Sequence, residues 1–411
     1  MSNRNIPKIR FKEFINMWNN YKLGQLGNFK SGIGFPDSQQ GGTEGIPFFK
    51  VSDMNNIGNE TEMRNANNYV TQEQIMKNSW KVINETPAII FAKVGAALML
   101  NRKRLVTKPF LIDNNTMSYS FDESWDKDFG LTLFQTINLP KYAQIGALPS
   151  YNASDIAMIK VNVPNVQEQS TIGSLFRTLD DLLASYKDNL ANYQALKANM
   201  LSKMFPKAGQ TVPEIRLDGF EGEWKKSKLK DVAHRVQGND GRMDLPTLTI
   251  SASGGWMNQI DRFSANIAGK EQKNYTLLKR GELSYNHGNS KLAKYGVVFE
   301  LQEYEEALVP KVYHSFRVNQ LANAKFIEIM FSTKIPDREL GKLVSSGARM
   351  DGLLNISFDD FMNIAIIIPT IKEQQAIGSY FSNLDNLINS HQEKVSQLET
   401  LKKKLLQEMF I

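Results

Sequence analysis

Cysteine is absent from the 411 residues. That excludes disulfides, thiolate nucleophiles and Cys-ligated metals, and it suits a reducing cytoplasm. Histidine is scarce: His234, His287, His314 and His391 are scattered and share no ligand spacing. Long apolar runs are missing too, since stretches such as "NIAIIIP" are strand-length and too short to cross a bilayer. The polar start offers no signal-peptide pattern, so the expected compartment is the cytoplasm. Catalytic signatures are also lacking. The glycines of "SGIGFP" do not open a GxGxxG helix start, and "AGKEQK" lacks the leading glycine and the Ser/Thr of a P-loop. No Pro-Pro dipeptide occurs, so the [DNS]-P-P-[YFW] signature of amino-methyltransferases is missing. No catalytic residue, metal ligand or bound cofactor is therefore nominated, and the chain reads as a recogniser rather than an enzyme.

What the chain does contain is itself, twice. Its length calls for two or more domains, and internal repeats are sought first because they decide the fold. Pro7, Ile9, Arg10, Phe14 and Trp18 recur in the same spacing as Pro213, Ile215, Arg216, Phe220 and Trp224. A longer, ungapped repeat ends at Phe205 and again at Phe410. In it Pro164, Glu168, Gln169, Ile172, Gly173, Phe176, Leu179 and Asp180 return as Pro369, Glu373, Gln374, Ile377, Gly378, Phe381, Leu384 and Asp385. Leu196, Lys197, Leu201 and Met204 return as Leu401, Lys402, Leu406 and Met409.

Each long repeat follows a proline and contains none, and its apolar residues step by 3 and 4, which predicts a long helix with a heptad seam. The seam reads Ile172, Leu175, Leu179, Leu182, Tyr186, Tyr193, Leu196 and Met200 in the first copy. In the second it reads Ile377, Tyr380, Leu384, Leu387, His391, Leu398, Leu401 and Leu405. A further row (Phe176, Leu183, Leu190; Phe381, Ile388, Val395) widens the stripe. Asn189 and Lys394 share one d position, where they either fix register or face solvent. Two equivalent helices in one chain are expected to pair about a two-fold axis and run antiparallel, each spanning roughly 57 Å.

The expected fold class is α+β: two globular mixed α/β domains separated by two long helices forming an antiparallel coiled coil, with an internal pseudo-two-fold and a near-circular arrangement. The divisions are an N-terminal repeat segment (1–19), a first domain (20–166), a central helix (167–206), a linker with the second repeat segment (207–226), a second domain (227–371) and a C-terminal helix (372–411). The two globular stretches share no obvious identity. Each is expected to end in a buried strand before Pro164 or Pro369.

Acids and bases balance within each long helix, so the net charge of +6 lies elsewhere. Two windows, Thr86–Ile112 and Leu283–Phe299, contain no acid at all. The first holds Lys93, Asn101, Arg102, Lys103, Arg104 and Lys108, and the second His287, Asn289, Lys291 and Lys294. Both follow a short apolar strand and a glycine, Gly95 or Gly288. Lysine and arginine neutralise phosphates, and Arg and Asn can pair with base edges. These ten residues and Arg242 are the DNA-binding candidates.

The duplicated pattern, "PKIRF", "QEQSTIGSLFRTLDDLL", "KEQQAIGSYFSNLDNLI" and "FPKAGQTVPEIRLDGFEGEW", resembles the specificity subunit of type I restriction–modification systems. The resemblance covers the whole chain and is weakest in the two variable domains. It implies that each variable domain is a target recognition domain reading one half of a split double-stranded DNA site, while the helices set the spacer. Two modification subunits would dock on the paired halves, bringing S-adenosylmethionine for adenine-N6 methylation. Restriction subunits would bring ATP and Mg for translocation and cleavage. The specificity component of a modification enzyme without a restriction subunit would fit the same pattern. A reading of another class is a coiled-coil scaffold displaying two protein-binding domains.

Overall fold

The computed structural model describes residues 6–144, 148–263, 269–288, 290–344 and 353–410. Two compact units emerge, 1–187 with 393–411, and 188–392. Each contains one globular domain, the start of one long helix and the end of the other. The helices, Val166–Lys203 and Ile371–Glu408, are 38 residues each, so the division into units falls within them rather than at their ends.

The first domain is built on a four-stranded antiparallel sheet. Its edge strand Gly27–Ser31 pairs with Thr116–Phe121, which pairs with Ala88–Ala92, which pairs with Lys103–Val106. The strand Ala88–Ala92 (AIIFA) is buried on both faces, as its unbroken apolar run requires. Helix Lys127–Thr136 covers one side with Phe129, Leu131, Leu133 and Phe134. A smaller three-stranded sheet, including one parallel pairing of Phe48–Phe49 with Leu111–Ile112, carries its own aromatic cluster of Phe35, Phe48 and Trp80.

The second domain repeats this plan in a different sequence. Ala233–Arg235, His314–Val318, Leu283–Asn286 and Val297–Glu300 form its four-stranded sheet in the corresponding order. Helix Ala324–Ser332 covers it. Each domain closes at its neck: Asn19–Lys22 pairs antiparallel with Lys160–Val163, and Lys225–Lys228 with Ala365–Ile368. The closing strands alternate between exposed or half-buried and buried residues instead of being buried throughout, because each is held only on one edge and one face.

Within each unit the helices run antiparallel. In the first, Asp180 pairs with Lys402 and Lys187 with Glu399. In the second, Lys197 pairs with Asp385, and Tyr193 meets the His391 ring edge-on. The heptad seam needs correction. Leu182, Leu196, Leu387 and Leu401 are 38–44% exposed, whereas Ile172, Phe176, Leu179 and Leu183, and Ile377, Phe381 and Leu384, are buried. The reason is competition for the apolar stripe: the first half of each helix packs on a globular domain as well as on its partner helix, which draws the buried row to one side. Asn189 and Lys394 are exposed, so of the two readings they face solvent.

Near-circularity is visible in the first unit, where Ile9 N donates to Glu408 O at 3.0 Å. The second unit has the same bond from Ile215 N to Lys203 O, also 3.0 Å.

Candidate nucleic-acid interface

The repeated residues build a socket that fixes each domain to its helix. At the first socket, Arg10 grips the buried Glu168 through Nε (2.6 Å) and Nη2 (2.7 Å), and Trp18 Nε1 donates to the same carboxylate at 3.1 Å. At the second, Arg216 reaches Glu373 at 2.7 Å through both Nε and Nη2, and Trp224 Nε1 donates to Glu373 at 3.3 Å. A forked guanidinium matches a carboxylate, and a buried carboxylate needs such partners. The bond to Glu168 holds the Arg10 pKa above its ordinary value.

The adjoining glutamine does a second task. Gln169 accepts from Asp126 N at 2.9 Å and donates to Ser124 O and Pro164 O. Gln374 accepts from Asn323 N at 3.0 Å and donates to Leu321 O and Pro369 O. Asp126 and Asn323 are the N-caps of the covering helices. Gly173 lets the first cap approach: a Cβ there would lie 2.5 Å from Asp126 Oδ1 and 2.6 Å from Phe129 N. An aromatic triangle completes each socket, Trp18–Phe129–Phe410 and Trp224–Phe326–Phe205. Sequence reading found the arginines, tryptophans, glutamates, glutamines, glycines and terminal phenylalanines as repeats, but missed their pairing and the Asp126, Phe129, Asn323 and Phe326 that meet them. The signal was an arginine and a glutamate, of opposite charge, preserved together in both copies.

The charged windows are less uniform than composition suggests. Both contain the hairpin formed by the two last-named strands of the main sheet. Lys93 lies just past Ala88–Ala92, half-buried and without a side-chain partner among the described residues. Asn101 adopts φ 53°, and its amide caps Ile137 O and Leu139 N. Arg102 is tied to Asn55. Lys103 is buried, donating to Ile137 O at 2.6 Å, and burial pushes its pKa down to about 8. Arg104 donates to Lys103 O and Met54 O, and burial followed by repulsion from Arg102 lowers its pKa. Lys108 is exposed, but at the opposite end of the sheet from Lys93. The 93–108 cations therefore do not form one patch.

In the second domain Lys291 and Lys294 are exposed, the latter over the Tyr295 ring. Asn289 lies outside the described residues. Arg242 is occupied by Glu306 and Asp240. His287 is buried, with Nδ1 2.8 Å from Leu354 O and Nε2 2.8 Å from Val312 O. It stacks on His314, whose pKa burial drives down to about 4 and whose Nε2 meets Ile356 O. Sequence reading also missed Arg235, exposed above the Phe358 ring at 4.4 Å. A cleft of about 670 Å³ in the second unit is lined by Glu300, Glu303, Glu328, Asp337 and Asp385 against Lys197, Lys325 and Lys334, which does not suit a polyanion.

The model of the type I restriction modification DNA specificity domain matches residues 16–217 and again 221–400. The chain belongs to this family of DNA specificity proteins. It is similar to the MjaVIII type I restriction enzyme specificity subunit of Methanocaldococcus jannaschii, 21% identical over 276 residues. That alignment covers 63% of this chain and 63% of the relative. The crystal structure of a type I restriction–modification S subunit from M. genitalium superposes with a TM-score of 0.60 at 13% identity, over 99% of both chains. This likeness shows a shared fold.

Proposed function

We propose that each domain reads one half of a bipartite double-stranded DNA site, for a complex whose other subunits carry out the chemistry. The observation that carries this reading is the contrast within each unit. The arginine, tryptophan, glutamate and glutamine of the socket recur in both, while the domains they hold share no obvious sequence identity. A chain that must present two different readers on one frame needs that division.

The long helices set the spacer between half-sites, since a continuous helix keeps a fixed rise per residue. Modification subunits dock on the helices. In support, each unit exposes one repeated leucine from each helix, Leu182 and Leu401 in the first and Leu196 and Leu387 in the second. Repeated apolar residues that the chain itself leaves uncovered suit a partner that binds twice. S-adenosylmethionine would belong to those subunits, and ATP and Mg to restriction subunits where present. This chain contributes recognition in the cytoplasm, and among its described residues no helix is long and apolar enough to cross a membrane.

The test is to express the chain with a modification subunit and sequence the methylated genomic sites. A single asymmetric motif with a gap of fixed length is expected. Methylation with no sequence preference would contradict the reading.

A further inference from the structure

One feature recurs in both domains without repeating in sequence. The central strand Thr116–Phe121 is entered by a turn, Asp113–Thr116, closed by Thr116 N to Asp113 O at 2.9 Å. The corresponding strand His314–Val318 is entered by Pro310–Tyr313, closed by Tyr313 N to Pro310 O at 3.0 Å. In each turn the third residue's carbonyl is pinned by the residue that follows the neighbouring strand. Asn115 O accepts from Lys93 N at 2.9 Å, and Val312 O faces His287 Nε2 at 2.8 Å. Those pinning residues hold the next segment as well: Lys93 O accepts from Tyr151 N, and His287 O from Leu354 N. The two ring nitrogens of His287 thus lie within hydrogen-bond distance of the Leu354 and Val312 carbonyls, bridging the turn to the next segment.

The second residue of each turn is thereby held rigid and pushed outward. It is Asn114 in the first domain and Lys311 in the second. Both are exposed, and neither side chain has a partner among the described residues. The backbone frame is common and the chemistry at its tip differs, which is what two readers of different half-sites require.

We propose that this turn is a base-reading position in each domain, with Asn114 pairing with an adenine edge and Lys311 with a guanine edge. This rests on the DNA-reading function above. Asparagine matches the adenine N6/N7 pair, and lysine matches guanine O6/N7. A side chain on a turn fixed at two points keeps the geometry that such discrimination needs. His287 acts as a positioning residue for Lys311.

The experiment compares methylated motifs and DNA affinity for complexes carrying the wild-type chain, Asn114→Ala, Asn114→Asp and Lys311→Ala. Both turns are exposed, so amide exchange of each unit is expected to be unchanged. Asn114→Ala and Asn114→Asp should each relax or shift one base position of one half-site, with a loss of about tenfold or more against the original base. Lys311→Ala should do the same at one position of the other half-site only. Unchanged motifs and affinities would overturn the assignment. A Lys311→Ala complex that binds all sequences more weakly, with a shallower salt dependence and an unaltered motif, would make Lys311 a phosphate contact and overturn its role as a base reader. A wild-type complex with no sequence preference would instead overturn the DNA-reading function itself.

Discussion

Glu168 and Glu373 occupy the same socket with the same arginine, tryptophan and backbone neighbours, whereas Asn114 and Lys311 occupy the same turn with different chemistry. The two units share their arginine, tryptophan, glutamate and glutamine where they attach and diverge where they face outward. The attachment is constrained, because a buried carboxylate and a buried amide each need the partners that satisfy them. The outward face has no such constraint, since a turn residue in water serves the fold equally well as asparagine or lysine.

The largest effect is expected at the sockets. Replacing Glu168 or Glu373 with alanine strands a largely buried guanidinium, at a cost of roughly 3–5 kcal/mol to the unit concerned. Amide exchange followed by mass spectrometry reads the two units separately. Glu168→Ala should raise exchange in the first unit and Glu373→Ala in the second. Equal losses in both units from either variant would show that the sockets do not act independently.

A smaller effect separates the two copies. Gly173→Ala places its Cβ against the helix cap and Phe129 N, where the backbone must give, so a loss of about 1–3 kcal/mol is expected. At Gly378 the nearest atom is Asn323 Oδ1 at 3.2 Å, a side-chain atom that can shift. The gain in helix propensity, about 1 kcal/mol, then offsets most of the strain. Similar unfolding midpoints for the two alanine variants would contradict this ranking.

The smallest effect lies in pH dependence. The folded pKa of Lys103, about 8, is below its unfolded value near 10.5, so between those pH values the unfolded chain binds the extra proton. Stability of the first unit from this residue therefore rises as pH increases through that window, and the cost of burying the charge is fully present below it. Lys103→Met should flatten that part of the pH profile. An unchanged profile would place the ammonium in water.

Much of this frame was legible in the sequence. The duplication, both long helices and their antiparallel pairing follow from repeated residues and a 3,4 apolar spacing. The buried row was legible in part: Ile172, Leu179, Ile377 and Leu384 of the seam are buried, but Leu182 and Leu183 are equally apolar and only the docking of a globular domain decides which is covered. The interface was harder still. Lys103, Arg104 and His287 look like free cations in a window without acids, but backbone carbonyls take them up, and carbonyls have no letter in the sequence. Asn114 carried no signal, since its significance lies in the turn it shares with Lys311.

The central claim is that one frame holds two independent readers, and a domain transplant tests it most directly. Residues 20–163 would be replaced by the corresponding domain of another family member, leaving Arg10, Trp18, Glu168, Gln169 and both helices in place, and the sites methylated by the resulting complex would be sequenced. The account predicts a motif changed in one half-site only, with the other half and the spacer length preserved. A motif altered in both halves, or with a new spacer, would contradict it.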